Sequence, residues 1–279
     1  MAGVFGYPVH HSLSPGMHNA AFRELGLDYI YVPFNVHPDR LESAVSGVRA
    51  LGFVGVNLTI PHKEPVIRFL DWVSPEAAAI GSVNTIHNLD GKLKGYSTDG
   101  EGLLRSLEAE GKSADGSRAV VLGAGGSARA VAHALATHAS DVAVVNRTAS
   151  RAVDLAVELN AALGSQCIRP IPLESAEARD VVAEADLLVN CTSVGMEPNA
   201  DAQPVPSDWL HDRLFVYDLV YNPSRTRLLA AAEAAGGRGA SGVKMLVFQG
   251  AIAFEIWTGR TPPVQTMERA VLEGLGASP

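Results

Sequence analysis

The chain contains only two cysteines among 279 residues. Cys167 and Cys191 are too few and too far apart for a disulfide framework or a metal site, so they read as small core residues or site lining. Long apolar runs are missing as well. Arg129 and His133 interrupt the most apolar region, and nothing approaches the roughly 18 consecutive apolar residues that a membrane helix requires. The opening "MAGVFGYPVHHS" lacks the basic-then-apolar order of a secretory leader, so a soluble, cytoplasmic protein is expected. Positive charge is in deficit, with a net charge of −8. That balance gives no general attraction to nucleic acid or to an anionic membrane, and any bound anion must be held by a local group of cations. Internal repeats and low-complexity segments are also absent.

What is present is a length that suits two domains and an apolar fraction of 47%, ample for sizeable cores. Short apolar runs alternate with longer amphipathic stretches, the pattern of parallel α/β architecture. In the first part the strand candidates are "GVFG", "YIYVPFNV", "GVNLTI" and "SVNTIHNLDGKLKGYS". The last holds Asp90-Gly91 between two alternating runs, a hairpin signal that predicts antiparallel strands at one edge of a mostly parallel sheet. After the helix in "STDGEGLLRSLEAEG" and the polar stretch "KSADGSR" comes a cleaner strand series, "AVVLG", "DVAVVN", "IRPI", "DLLVN" and "LFVYDLV". The segment from Val243 onward is helical in period and is expected to pack back onto the first domain. The predicted division is therefore residues 1–100 plus 240–279 for one α/β domain and 101–239 for a second, Rossmann-like one.

The second domain carries a nucleotide-binding signature. "AVVLGAGGSARAVAHAL" runs from strand through glycine turn to helix, with Gly123, Gly125 and Ala128 matching G-x-G-x-x-A. The first glycine makes the turn, the second admits a pyrophosphate and the small third residue packs helix on strand. The next strand ends in Asn146, followed by Arg147, Thr148 and Arg151, where an NAD site would place a carboxylate for the ribose. Two guanidiniums with a helix-capping threonine suit a 2′-phosphate instead, so NADPH is the indicated cofactor.

In the first domain, "HSLSPGMHN" reads as a helix start with Ser14 as N-cap and Pro15 at the first helical position. That leaves Ser12 without a local explanation, in a turn punctuated by glycine and proline. "VGVNLTIPHK" is a strand whose end carries Asn57, Thr59 and Lys63. Asn84 and Asp99 close neighbouring extended segments, with Thr98 beside Asp99, so these groups can converge on one rim. By itself Asp99 also reads as an N-cap. In contact, Lys63 and Asp99 would make a proton-transfer pair beside a carbinol.

The set "GYPVHHSLSPGMHN", "VNLTIPHK", "GSVNT", "GYSTDG", "GAGGSARA", "NRT", "DLVYNPSRT" and "GVKMLVFQGAIAFEIWTG" resembles the shikimate dehydrogenase family from end to end. The resemblance implies reversible NADPH-dependent reduction of 3-dehydroshikimate to shikimate on the way to aromatic amino acids. It further implies that Ser12 and Ser14 hold the substrate carboxylate, that Asn57 and Thr59 line the site, and that Asn84, Asp99 and Gln249 bind ring hydroxyls. Lys63 would be the catalytic acid/base, oriented by Asp99, and Tyr221 a further substrate contact. On the cofactor side it implies Gly123, Ala124, Gly125, Gly126, Ser127 and Ala128 at the glycine turn and Asn146, Arg147, Thr148 and Arg151 at the adenosine end. Thr192, Ser193 and Met196 would border the nicotinamide, with Leu219 and Gly242 nearby. His11, His18 and His62 read as turn and site-wall residues. The chain departs from the family pattern at Ser97, Ser127 and Cys191, none of which removes a catalytic group. The implied partners are a small-molecule substrate and NADP, with no metal, nucleic acid or membrane, in a monomer or homodimer. The rival readings are a dual quinate/shikimate dehydrogenase using NAD(P) and, in another class, a non-catalytic sensor, which would have no need of Lys63 or Asp99.

Overall fold

In the computed structural model, which describes residues 1–276, the chain begins with β1 (Ala2–Gly6), α1 (Ser14–Glu24), β2 (Tyr31–Asn35), α2 (Leu41–Ala50) and β3 (Gly55–Leu58). β4 (Trp72–Val73), α3 (Pro75–Ile80), β5 (Thr85–Leu89), β6 (Lys92–Tyr96) and α4 (Asp99–Ala109) follow. The strands form one sheet in the order β2-β1-β3-β5-β6-β4. β1 pairs parallel with β2 and β3, while β5 runs antiparallel to both β3 and β6. The β5–β6 turn is Asp90-Gly91, both at positive φ (51° and 84°), as a two-residue hairpin requires. Pro33 lies on edge strand β2, where its missing N–H interrupts no ladder. One face of the sheet contributes Phe5, Val56, Leu58, Ile86 and Leu93 to a core that Val45 of α2 joins.

The second sheet takes β7 (Arg118–Leu122), β8 (Asp141–Asn146), β9 (Ile168–Pro172), β10 (Leu187–Asn190), β11 (Phe215–Asp218) and β12 (Arg238–Ser241). Helices α5 (Gly126–Ala136), α6 (Ala149–Leu163), α7 (Ala176–Ala183) and α8 (Arg227–Ala234) connect them. All pairings are parallel, in the order β12-β11-β10-β7-β8-β9. Successive strand residues feed opposite faces: Val121, Val144, Val189 and Tyr217 enter one core, Val120, Val145, Leu188 and Val216 the other. Two helices complete the chain, α9 (Val243–Thr258) and α10 (Val264–Gly274).

Contacts divide the chain into Met1–Gly102 with everything from Leu246 onward, and Leu103–Met245. Both crossings fall inside helices, α4 and α9. The return lies at Leu246 and not at residue 240, because 238–241 form a sixth strand of the second sheet that the sequence pattern does not suggest. "RGAS" has little apolar character. Its Gly239 leaves no space for a side chain, since a Cβ there would lie 2.8 Å from the Val216 carbonyl. In the first unit the indole Nε1 of Trp257 donates to the Ile86 carbonyl at 2.9 Å, fastening α9 to β5. Among the described residues no helix is long and apolar enough to cross a membrane.

Candidate active site

Lys63 lies five residues past the end of β3, and its Nζ donates to Asp99 Oδ2 at 2.5 Å. The two side chains are 12% and 5% exposed, so the pair is shielded without being sealed from solvent. Asp99 is the first residue of α4, yet its carboxylate does not cap the helix: Oδ2 takes Lys63, and Oδ1 accepts from Asn84 Nδ2 at 2.8 Å. Asn84 is aimed in turn. Its Oδ1 accepts the Thr98 backbone N–H at 2.8 Å, which turns Nδ2 toward Asp99, Thr98 Oγ1 (2.9 Å) and Gln249 Oε1 (3.2 Å). The Thr98 hydroxyl donates to the Gln249 carbonyl at 3.0 Å, and Gln249 Nε2 donates to the Leu246 carbonyl at 2.7 Å. Close approach of α9 here depends on Gly102, where a Cβ would stand 3.0 Å from the Gln249 backbone nitrogen. Lys63, Asn84, Thr98, Asp99 and Gln249 therefore form one connected polar rim in the first unit; the spacing of strand ends predicts that Lys63, Asn84 and Asp99 can meet, whereas Gln249 comes from α9.

Asn57, buried near the end of β3, is also fully oriented. Its Oδ1 accepts the Tyr31 hydroxyl at 2.8 Å, and its Nδ2 donates to the Asn84 carbonyl (3.2 Å) and to Thr85 Oγ1 (3.0 Å). Both amide hydrogens are used, and one lone pair on Oδ1 is left for an incoming donor. Tyr31 is held at its backbone by Asn19, which donates to its carbonyl (2.9 Å) and accepts its N–H (2.8 Å). The Tyr31 ring stacks on His18 with centroids 4.4 Å apart and planes 10° from parallel. Neither His18 nitrogen has a hydrogen-bond partner, and burial pushes its pKa down to about 3, so it is a neutral ring. His62 is buried as well: its Nε2 meets the Val36 carbonyl at 2.8 Å, and burial lowers its pKa. Thr59 flanks the strand end, its backbone N–H bound to the Phe5 carbonyl.

The serine pair differs from expectation. Helix α1 begins at Ser14 with Leu13 as N-cap, because the Leu13 carbonyl already accepts the Met17 N–H. Ser14 is therefore not the cap, and Pro15 falls one position later than expected. The local hydroxyl role passes to Ser12, whose Oγ accepts the Ser14 N–H at 3.3 Å. The Ser14 hydroxyl makes no hydrogen bond among the described residues and sits within two positions of Ser12.

In the second unit, Gly123 follows β7 at φ +107°, a conformation that favours glycine, and a Cβ there would press on Thr192 Cγ2 at 3.1 Å. Ala124 is buried. Gly125 is the N-cap of α5, with nothing within 4 Å of a Cβ position, so the backbone is open to an incoming group there. Gly126 and Ser127 form the first helical residues, and Ala128 is fully buried beneath them. No acidic residue stands in the first turn. A helix N-terminus of this kind carries positive potential. At the end of β8, Asn146 Nδ2 donates to the Thr148 carbonyl at 2.9 Å, and Arg147 and Arg151 are exposed beyond it. Thr148 occupies the N-cap position of α6, but its side chain makes no capping bond, contrary to the expected helix-capping threonine. The Asn146 amide holds this turn instead.

Thr192, Ser193 and Met196 lie on the loop after β10, Leu219 and Tyr221 on the loop after β11. Gly242 packs against the Leu219 carbonyl, where no Cβ would fit. Tyr221 thus belongs to the second unit, whereas the other expected substrate contacts belong to the first. Sequence reasoning missed Tyr31, which looked like ordinary strand packing, and a buried cluster of Asn190, Asp218 and Thr226 beneath these two loops. The only hint of the cluster was that β10 and β11 both end in polar residues. Among the described residues no group of three or more His, Cys, Asp or Glu is placed to hold a metal ion.

Comparison with known proteins gives a consistent result. Residues 4–86 match the shikimate dehydrogenase substrate binding domain, 106–199 match shikimate / quinate 5-dehydrogenase, and 242–272 match the shikimate 5′-dehydrogenase C-terminal domain. The chain is 52% identical over 278 residues to shikimate dehydrogenase (NADP(+)) of Methanopyrus kandleri, covering 99% of this chain and 96% of that one. A crystal structure of shikimate dehydrogenase in complex with NADP+ superposes with a TM-score of 0.92 at 41% identity, covering 98% of this chain and 95% of that one. The shikimate 5-dehydrogenase of Thermus thermophilus, in complex with NADP(H) and shikimate, gives 0.88 at 43% identity, with 98% and 99% coverage.

Proposed function

This chain belongs to the shikimate dehydrogenase family, and from that premise we infer that it catalyses the reversible, NADPH-dependent reduction of 3-dehydroshikimate to shikimate in aromatic amino acid biosynthesis. The observation that carries the reading is the Lys63–Asp99 pair, with Asn84 on the second carboxylate oxygen. Lys63 is the general acid of reduction: it delivers a proton to the alkoxide that develops on the substrate carbonyl, and it takes that proton back when shikimate is oxidised. Asp99 orients the ammonium and Asn84 orients Asp99. Such a positioned proton donor contributes roughly 10²–10⁴ in rate.

The cofactor, when bound, supplies the hydride. The residues present fit it: an acid-free helix N-terminus behind a positive-φ glycine, open space at Gly125, and exposed Arg147 and Arg151 where NAD sites carry an acid. In this assignment Gly123–Ala128 receive the pyrophosphate and Asn146, Arg147, Thr148 and Arg151 the 2′-phosphate end. Ser12 and Ser14 hold the substrate carboxylate. Asn84, Asp99 and Gln249 bind ring hydroxyls, and Thr59 lines the site beside them. Asn57 accepts from a substrate hydroxyl with its remaining lone pair, and Tyr221 is assigned as a further substrate contact. The first unit is the substrate-binding domain and the second the NADP-binding domain. We assign the protein to the cytoplasm, as monomer or homodimer.

A dual quinate/shikimate specificity is the second reading, favoured by the shared name of the family matched at 106–199. Initial rates of NADP+ reduction by shikimate, measured beside quinate and beside NAD+, decide between them. Activity confined to shikimate with NADP+ supports the first reading. Comparable rates with quinate or NAD+ establish the second, and no activity with any pair overturns both.

A further inference from the structure

Beneath the loops that follow β10 and β11 lies a polar cluster for which neither the substrate rim nor the glycine turn accounts. Asp218 ends β11 and Asn190 ends β10, directly opposite each other in the parallel register. Both are completely buried, and Thr226 is nearly so. Three donors converge on the Asp218 carboxylate: Asn190 Nδ2 (2.8 Å) and the Val220 N–H (3.1 Å) on Oδ1, and the Thr226 hydroxyl (2.6 Å) on Oδ2. No cation pairs with it among the described residues. A carboxylate hidden this deeply is costly unless its acceptors are satisfied, and an arrangement of this kind must be explained by what it holds.

What it holds is direction. An ionised carboxylate only accepts, so Asn190 must turn its NH₂ toward Asp218 and its Oδ1 away. That oxygen then receives both the Thr192 N–H (3.1 Å) and the Thr192 hydroxyl (2.7 Å), while Thr192 Oγ1 accepts the Val194 N–H (3.2 Å). The turn 192–194 is thereby pinned, with the Thr192 methyl against Gly123 of the glycine turn. On the other side the Val220 N–H fixes the start of the loop after β11. The Thr226 hydroxyl, by donating to Asp218, keeps a lone pair for the Leu229 N–H (3.3 Å) that starts α8. One side chain thus orients two loops and a helix start.

The sheet order says which part of the cofactor these loops meet. Arg147 and Arg151 follow β8, on one side of the central β7, and take the adenosine end in the reading above. A dinucleotide that crosses the carboxyl edge of the sheet over β7 must then extend its other half over β10 and β11. We infer that Asp218 is a positioning residue that holds the loops at 192–196 and 219–221 in the shape that receives the nicotinamide half of NADP(H). The inference rests on the NADP reading and deepens it.

The test separates the two halves of the cofactor. For Asp218→Ala, binding of 2′,5′-ADP, which lacks the nicotinamide, should stay within about twofold of wild type. NADPH bound to the same variant should emit with the spectrum and lifetime of the free dihydronicotinamide, and kcat should fall at least tenfold. Asp218→Asn keeps an acceptor toward Asn190 and Val220 and can donate to Thr226, so it should restore the bound-state emission. Should the alanine variant fail to fold, Asn190→Ala, which cuts the same link from the other end, is measured by the same three readouts. Wild-type emission from NADPH bound to the variant, or equal weakening of 2′,5′-ADP and NADPH, overturns the inference. Wild-type protein that binds neither 2′,5′-ADP nor NADPH overturns the cofactor reading itself, and the inference with it.

Discussion

Lys63 and Asp99, 36 positions apart in sequence, meet at 2.5 Å because β3 and β6 deliver their ends to the same rim of the sheet. In the proposed mechanism the lysine acts on charge that develops only in the transition state, so Lys63→Ala should lower kcat by about 10²–10⁴ while KM for shikimate changes a few-fold at most. Steady-state kinetics on protein shown by circular dichroism to be folded would check this. A kcat within about threefold of wild type would remove Lys63 from the mechanism.

At the proposed adenosine end, Arg147 is exposed and makes no hydrogen bond or ion pair among the described residues, so its guanidinium is available to an anion. A charge-assisted hydrogen bond contributes about 1.5–3 kcal/mol. Arg147→Ala should therefore raise KM for NADP+ by about tenfold or more and leave KM for NAD+ nearly unchanged. If both cofactors weaken by the same factor, the 2′-phosphate lies elsewhere.

Tyr31→Phe removes one hydroxyl and keeps the ring on His18. It leaves Asn57 Oδ1 without its buried donor, at a cost of about 1–3 kcal/mol in stability. The loosened Asn57 should raise KM for shikimate more than it lowers kcat. Urea unfolding and kinetics on the same preparation test both halves. Unaltered shikimate affinity would mean that Tyr31 serves only the core.

His18 makes stability depend on pH. Its folded pKa, about 3, lies below the ordinary histidine value of 6.5 that the unfolded chain takes. Between those values the unfolded chain binds a proton that the folded chain refuses, so stability falls as pH falls through this window, by at most about 1.4 kcal/mol per pH unit. His62 and His133 are shifted down by burial in the same sense, so the useful quantity is a difference. His18→Phe preserves a ring against Tyr31, and its advantage in thermal midpoint over wild type should widen from pH 7 toward pH 4. A gap that stays constant with pH would refute the assignment.

The parts that could be read from sequence are those whose chemistry is written in adjacent residues. Asp90-Gly91 specifies its own hairpin, Gly123 its own turn, and the absence of an acid after β8 needs only the strand's end to be located. That Lys63 and Asp99 can meet is legible because both follow strands closely, and strand ends share a rim. Tyr31 escapes such a reading since its hydroxyl reaches Asn57, 26 positions away, and a strand tyrosine ordinarily packs. Asp218 and Asn190 are neighbours only through the parallel register of β10 and β11. The Ser14 and Thr148 capping expectations failed for a related reason: the side chains suit a cap, but backbone closure at Leu13 and the Asn146 amide had already settled the geometry.

The interrupted course of the chain also sets an order of assembly on the ribosome. Residues 103–245 form their unit without a break, whereas the sheet that carries Lys63 and Asp99 waits for α9 to bring Gln249 and Trp257. During vectorial synthesis the middle of the protein can therefore mature before its beginning. In a nascent chain stalled before Leu246 emerges, protease should spare 103–245 and cut within the first hundred residues, and equal protection of both would contradict this order. Lys63 and Asp99 would then be among the last parts of the molecule to be secured, although both are translated early.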